Sequence, residues 1–150
     1  MKAVIFGAGS VGRGFLGELF SESNMNVCFI DIDETIINSI NSENRYPHIT
    51  VCNSKENIKW IENVYAISSN DKQSVINEIL NADIIATSVG IRVLPLIAPM
   101  ISEALVTRLD LTGKPINILL CENLNNIDGY MRNLLVKDLD TEKAILLEKK

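Results

Sequence analysis

A doubly wound α/β fold is predicted by three features of the sequence. Short apolar runs alternate with stretches of helical periodicity, the first run opens directly into a glycine-rich turn, and the runs read as strands buried on both faces. The last feature implies a parallel sheet. With 150 residues, 47% of them apolar and 22% charged, the chain has the size of one globular domain with a full core.

Residues 2 to 6 form a β-prone run closed by Gly7, and Val11, Phe15, Leu19 and Phe20 follow at helical spacing. Strand, turn and helix are expected here. A second strand, Val27 to Ile30, ends on Asp31, after which Asp33 is placed to cap a helix with Ile36, Ile37 and Ile40 on one face. Between Asn44 and Asn63 the pattern weakens. Tyr46-Pro47, the β-prone Ile49 to Cys52, a polar break at Asn53 to Asn57 and Ile58 to Ile61 read as a short irregular excursion of strands. Tyr46 and Trp60 are expected to cover an edge of the core, and His48 to lie at the surface.

Alternation resumes with a strand at Val64 to Ser68, a helix from Asp71 using Val75, Ile76, Ile79 and Leu80, and a fully apolar strand at Asp83 to Val89. A helix through Leu94, Ile97, Ile101, Ala104 and Leu105 follows, with Pro95 and Pro99 near its start or at a kink. The strand Ile116 to Cys121 and an amphipathic helix through Ile127, Tyr130, Met131, Leu134 and Leu135 complete the order. The domain is placed at residues 1–137, with a charged tail at 138–150 whose Ala144 to Leu147 reads as an element cut short.

Charge narrows the function. Fourteen basic and nineteen acidic residues give a net charge of −5, which argues against a surface built for nucleic-acid phosphates or anionic lipid. No apolar run approaches the roughly 20 residues of a membrane span. The N-terminal run meets a glycine turn without the h-region and cleavage site of a signal peptide, so a cytoplasmic protein is expected. Cys28, Cys52 and Cys121 are scattered and share the chain with one histidine, His48, so no metal site is expected.

Gly7-Ala8-Gly9-Ser10-Val11-Gly12 is a G-x-G-x-x-G turn standing between the first strand and the first helix. The first glycine permits the tight turn, the second lets a pyrophosphate approach the backbone, and the third lets the helix pack closely on the strand. An anion would rest on free amides at the helix N-terminus. Such a turn alone also serves folds that bind no phosphate. Asp31, however, ends the second strand nineteen residues after Gly12, close to the roughly 20 expected of the acid that accepts two ribose hydroxyls. Together these features make the fold Rossmann-type and the ligand a dinucleotide. Asp31-Ile32-Asp33-Glu34 offers three carboxylates and no cation to a 2′-phosphate, so NAD is favoured over NADP. Arg13 sets a cation in the first helical turn against the macrodipole, consistent with a compensating pyrophosphate or simply with an exposed arginine.

The opening Met1-Lys2-Ala3, with Phe6-Gly7-Ala8-Gly9-Ser10-Val11-Gly12-Arg13-Gly14-Phe15, resembles that of the mannitol-1-phosphate 5-dehydrogenases of the mannitol dehydrogenase family. Ala82-Asp83-Ile84 to Ser88-Val89-Gly90, the Ile97-Ala98-Pro99 helix and Cys121-Glu122-Asn123 resemble later segments of the same cofactor domain, so the likeness runs to about residue 135. The resemblance implies metal-free interconversion of fructose 6-phosphate and mannitol 1-phosphate with NADH and NAD in the cytoplasm. It also implies cofactor contacts from Phe6 through Arg13, from Asp31, and from Ser88, Val89 and Gly90 beside the nicotinamide ribose. Asn123 would help polarise the substrate carbonyl, the alternative being a strand-end cap for the next helix. The family's Lys, Asn and His acid–base set comes from a C-terminal helical domain, expected to be missing here, so the chain alone is expected to be inactive. A non-catalytic NAD-sensing module is the competing reading, since it too combines a glycine turn, an acid ending the second strand and about this length.

Overall fold

The computed structural model describes residues 1–52 and 54–148; Asn53 of the excursion and the last two residues of the tail lie outside them. Five strands, β1 (Lys2–Phe6), β2 (Asn26–Asp31), β5 (Val64–Ser68), β6 (Ile84–Thr87) and β7 (Asn117–Leu120), form one sheet in the order β5-β2-β1-β6-β7. Every pairing is parallel. The strand order reverses at β1, so the Rossmann-type doubly wound sheet expected from the sequence is the observed fold.

The near-continuous apolar strands are explained by burial on both faces. Val4, Phe6, Cys28 and Ile30 point to a core shared with α3 (Lys72–Leu80), α4 (Leu94–Thr112) and α5 (Ile127–Val136). Ala3, Ile5, Val27 and Phe29 point to the opposite core, under the first helix and α2 (Glu34–Glu43). Caps fix the helix starts: the Asp33 carboxylate accepts from the amides of Thr35 at 2.8 Å and Ile36 at 3.4 Å, and Asp71 accepts from Ser74 N–H at 3.1 Å. The Arg108 guanidinium closes the end of α3 by donating to the carbonyls of Ile79, Leu80 and Ala82 at 3.2, 2.7 and 2.9 Å. Pro95 lies in the first turn of α4, where its missing N–H costs nothing, and Pro99 lies inside it. In the tail, α6 (Thr141–Glu148) follows α5, and Leu147 packs against the core that α4 and α5 cover.

Two local expectations are corrected. After the glycine turn the chain runs as a π-helix, Gly12–Gly17, before α1 (Glu18–Glu22). Its inward residues are Gly12, Leu16, Gly17 and Phe20, while Val11, Phe15 and Leu19 are exposed. The reason is steric. A Cβ on Gly12 would stand 1.9 Å from the Gly7 carbonyl oxygen, and one on Gly17 would stand 2.3 Å from the Tyr46 hydroxyl, so only the glycine side can approach the sheet.

The excursion, in turn, is a single antiparallel hairpin of two eight-residue strands, β3 (Arg45–Cys52) and β4 (Lys55–Glu62). One face is anchored. Tyr46 and Ile61 are buried, the Tyr46 hydroxyl donates to the Arg13 carbonyl at 2.6 Å, and Tyr46 meets Phe29 edge to face. His48 pairs with Glu18 at 2.9 Å, and Lys59 bonds Glu18 and Glu22, which raise its pKa, so His48 is an anchor of the hairpin. Trp60 does not cover the core. It lies 46% exposed on the other face, beneath the Arg45 guanidinium. A two-stranded ribbon solvated on that face needs no regular burial pattern, which is why its length was hidden in the sequence.

Candidate functional site

The carboxyl ends of β1, β2, β6 and β7 meet at one edge of the sheet, where ligands of open α/β sheets bind. The glycine turn leaves β1 at this edge. Gly7 adopts φ +96°, its N–H donates to the Ile30 carbonyl at 2.8 Å, and an added Cβ would lie 2.6 Å from the Ser88 carbonyl oxygen. Gly7 is thus wedged between β2 and β6, and only glycine fits. Gly12 closes the other end of the turn against the Gly7 carbonyl, as its 1.9 Å Cβ contact requires.

Gly9 is different. Nothing lies within 4 Å of a Cβ placed there, and its φ is outside the left-handed region, so neither packing nor backbone strain explains a glycine. The first helical bond, from Arg13 N–H to the Gly9 carbonyl at 2.9 Å, leaves the amides of Ser10 and Val11 ahead of it without helical partners. Both residues are exposed. An open cradle at a helix start, whose first amides precede the helical bonding, has the chemistry to take a pyrophosphate. The Arg13 Nε donates to the Ala8 carbonyl at 2.6 Å, which holds the guanidinium over the turn.

Asp31 faces the same turn from the end of β2. One carboxylate oxygen accepts from Ala8 N–H at 2.6 Å, and the other accepts from Ile32 N–H at 2.7 Å and Asp33 N–H at 3.0 Å. Three amides therefore fix its orientation and take three of its roughly four lone-pair sites, leaving the oxygen bonded to Ala8 able to accept a further donor. Phe6 and Ala8 are buried, so of the sequence-predicted positions these two offer the site only main chain. The Phe6 carbonyl is taken by Ser88 N–H at 2.8 Å.

On the far side, the Ser88 hydroxyl lies 3.2 Å from the Gly7 carbonyl and 3.3 Å from that of Phe6, binding the loop after β6 to the glycine turn. Val89 is half-buried, and Gly90, at φ +85°, is exposed with open space around an added Cβ. Asn123 is exposed just past β7, and the residue at the cap of α5 is Asn126, not Asn123. The candidate residues thus gather on one edge, with Asp31 and the Ser88–Gly90 loop on opposite flanks of the turn.

Sequence reasoning gave no role to Glu122 and Thr87. The fully buried Thr87 hydroxyl donates to one Glu122 oxygen at 2.7 Å, and Val89 N–H donates to the other at 3.2 Å. The available signal was a charged residue directly after an apolar strand and a hydroxyl at the end of its neighbour. Beside Glu122, the Cys121 thiol is raised by burial and by that carboxylate. Burial, with the Glu78 charge adding, pushes the Cys28 thiol up to about 12. Among the described residues, no group of three or more His, Cys, Asp or Glu side chains is placed to hold a metal ion. A concavity of about 580 Å³ lies at the amino ends of the strands around Lys2, Asn26 and Tyr65. It is far from the glycine turn and open, so the chemistry of the carboxyl edge, rather than size, locates the site.

Fold and edge together define a Rossmann domain with an anion-ready glycine turn. The model of the mannitol dehydrogenase Rossmann domain matches residues 1–150. The mannitol-1-phosphate 5-dehydrogenase of Anoxybacillus flavithermus is 35% identical over 151 residues, covering 100% of this chain and 39% of that protein. Those of Shouchella clausii and Clostridium acetobutylicum are 38% and 36% identical, over 99% of this chain and 39% and 38% of their own lengths. The chain belongs to the mannitol dehydrogenase family, as its Rossmann domain, and so to a class that uses a nicotinamide cofactor. It spans about two fifths of the length of these curated relatives. Among solved structures, the TrkA-N domain of the inner membrane protein ybaL from Escherichia coli superimposes with a TM-score of 0.53 at 12% identity, covering 93% of this chain and 83% of that one. That likeness concerns the fold alone. No helix among the described residues is long and apolar enough to cross a membrane.

Proposed function

We propose that the chain is the NAD-binding portion of a cytoplasmic polyol-phosphate dehydrogenase that interconverts mannitol 1-phosphate and fructose 6-phosphate. The observation that carries the cofactor assignment is the Asp31 carboxylate, aimed at the glycine turn by three backbone amides beside the open cradle of Gly9. Asp31 would accept the two adenosine-ribose hydroxyls and, with Asp33 and Glu34 close in sequence and no cation among them, would repel a 2′-phosphate. The amides of Ser10 and Val11 and the Arg13 guanidinium would hold the pyrophosphate, and Val89 and Gly90 would flank the nicotinamide ribose. NAD, when bound, supplies the hydride acceptor.

Asn123 would aim its amide N–H at the substrate oxygen that gains charge as hydride moves. The names of the relatives support mannitol 1-phosphate as the substrate, and the larger part of their length beyond the matched span is where we assign the general acid and most sugar-phosphate contacts. On this reading residues 1–137 form the cofactor domain and 138–150 lead toward that second part. Loss of a positioned acid typically costs about 10² to 10⁴-fold, and loss of substrate positioning roughly 7 to 11 kcal/mol of barrier. Residues 1–150 should therefore bind NADH yet leave its absorbance unchanged with fructose 6-phosphate. In a chain extended through the second part, Asn123→Ala should lower kcat. Turnover by residues 1–150 alone would overturn the division of labour, and an unaffected Asn123→Ala enzyme would remove Asn123 from the site.

A further inference from the structure

We infer that Glu122 is a positioning residue for the nicotinamide half of the cofactor site, an inference that rests on the NAD-binding reading above. The ladder between β6 and β7 ends one step beyond the strands, where Cys121 N–H donates to the Thr87 carbonyl at 3.0 Å. Past that rung the contact between the two segments is carried by a side chain. Glu122 links them, accepting from the Thr87 hydroxyl at 2.7 Å with one oxygen and from Val89 N–H at 3.2 Å with the other.

The neighbouring residue is anchored the opposite way. Ser88 N–H donates to the Phe6 carbonyl at 2.8 Å, and the Ser88 hydroxyl reaches the Gly7 carbonyl at 3.2 Å. Residues 87 to 89 are thus tied alternately to Glu122 and to the glycine turn. Directly after Val89 the chain turns at Gly90, φ +85°, into open space, and directly after Glu122 stands the exposed Asn123. One carboxylate therefore fixes the relation between the loop assigned to the nicotinamide ribose and the amide assigned to the substrate oxygen. Glu122 touches neither group itself; it acts through Val89 and Asn123.

The chemistry of the clamp makes a conservative rescue informative. A Gln at 122 keeps an oxygen for Val89 N–H and gains an N–H₂ that can donate to the Thr87 hydroxyl, which accepts as readily as it donates. Ala keeps neither contact. The adenosine half, held by Asp31 and the glycine turn on the far flank, is indifferent to both changes.

The test is calorimetric titration of residues 1–150, and of the Glu122→Ala, Glu122→Gln and Thr87→Val variants, with NADH and separately with ADP. Glu122→Ala should weaken NADH about tenfold while ADP stays within about twofold, and Glu122→Gln should stay within about threefold for both. Thr87→Val, which leaves one carboxylate oxygen without its donor, should weaken NADH in the same selective way and decides the matter if Glu122→Ala does not fold. Equal losses for NADH and ADP, unchanged NADH binding in Glu122→Ala or Thr87→Val, or failure of Glu122→Gln to rescue would overturn the inference. A parent chain that binds neither nucleotide would instead overturn the NAD-binding reading on which it rests.

Discussion

The glycines of the turn make a divided prediction. At Gly12 an added methyl would sit 1.9 Å from the Gly7 carbonyl oxygen and 3.0 Å from the Ser88 hydroxyl, so the helix start must move away from β1. Overpacking of this kind costs about 1 to 3 kcal/mol, which for a chain of this size lowers Tm by about 2 to 12 °C. At Gly9 the same methyl meets nothing within 4 Å and no left-handed φ is violated. Gly9→Ala should therefore leave Tm unchanged or raise stability by up to about 1 kcal/mol through the unfolded chain. It should nevertheless weaken NADH at least about tenfold, because the methyl would occupy the space assigned to the pyrophosphate, and a tenfold loss is about 1.4 kcal/mol. Thermal melting and a fluorescence titration with NADH on the two variants separate these effects. A Gly9→Ala chain that melts and binds like the parent would refute the assignment of the turn to a pyrophosphate.

Two further perturbations probe the frame. Arg108→Ala removes the donor to three carbonyls at the end of α3 and should cost about 1.5 to 3 kcal/mol in urea unfolding without changing NADH affinity. The cysteines should react with a thiol reagent at pH 8 in the order Cys52, exposed, then Cys121, half-buried and raised, with Cys28 silent until unfolding. Because the folded Cys28 value of about 12 lies above the ordinary 9.0, its contribution to stability is intact below pH 9 and is lost between about pH 9 and 12, where the unfolded thiol ionises first. Urea midpoints at pH 8 and pH 10.5 should accordingly fall less in Cys28→Ala than in the parent chain.

Much of this was legible in the residues, for identifiable reasons. Strands β1, β2 and β6 announced themselves because burial on both faces confines polar residues to their ends, and Asp33 and Asp71 are the caps that their positions before Ile36 and Val75 suggested. The glycine turn and Asp31 could be paired in advance because their spacing follows from the length of one β-α-β unit. What stayed hidden depends on contacts across the chain. The exposure of Phe15 follows from Gly12 and Gly17 packing against Gly7 and Tyr46, and no periodicity in that segment records it. The hairpin was obscured because its exposed face carries Ile49, Val51, Ile58 and Trp60 with no core above them. Glu122 was unreadable for a related cause: its partners, Thr87 and Val89, lie 35 and 33 residues earlier, joined to it only by the β6–β7 register.

The central claim is that Asp31, held against the glycine turn, selects an unphosphorylated dinucleotide. Calorimetric titration of residues 1–150 with NADH and with NADPH, repeated on Asp31→Ala, tests it most directly. The parent should bind NADH more tightly than NADPH, and Asp31→Ala should narrow the gap by losing affinity for NADH and by no longer repelling the 2′-phosphate. Equal or reversed affinities in the parent chain, or a gap that Asp31→Ala leaves intact, would contradict it.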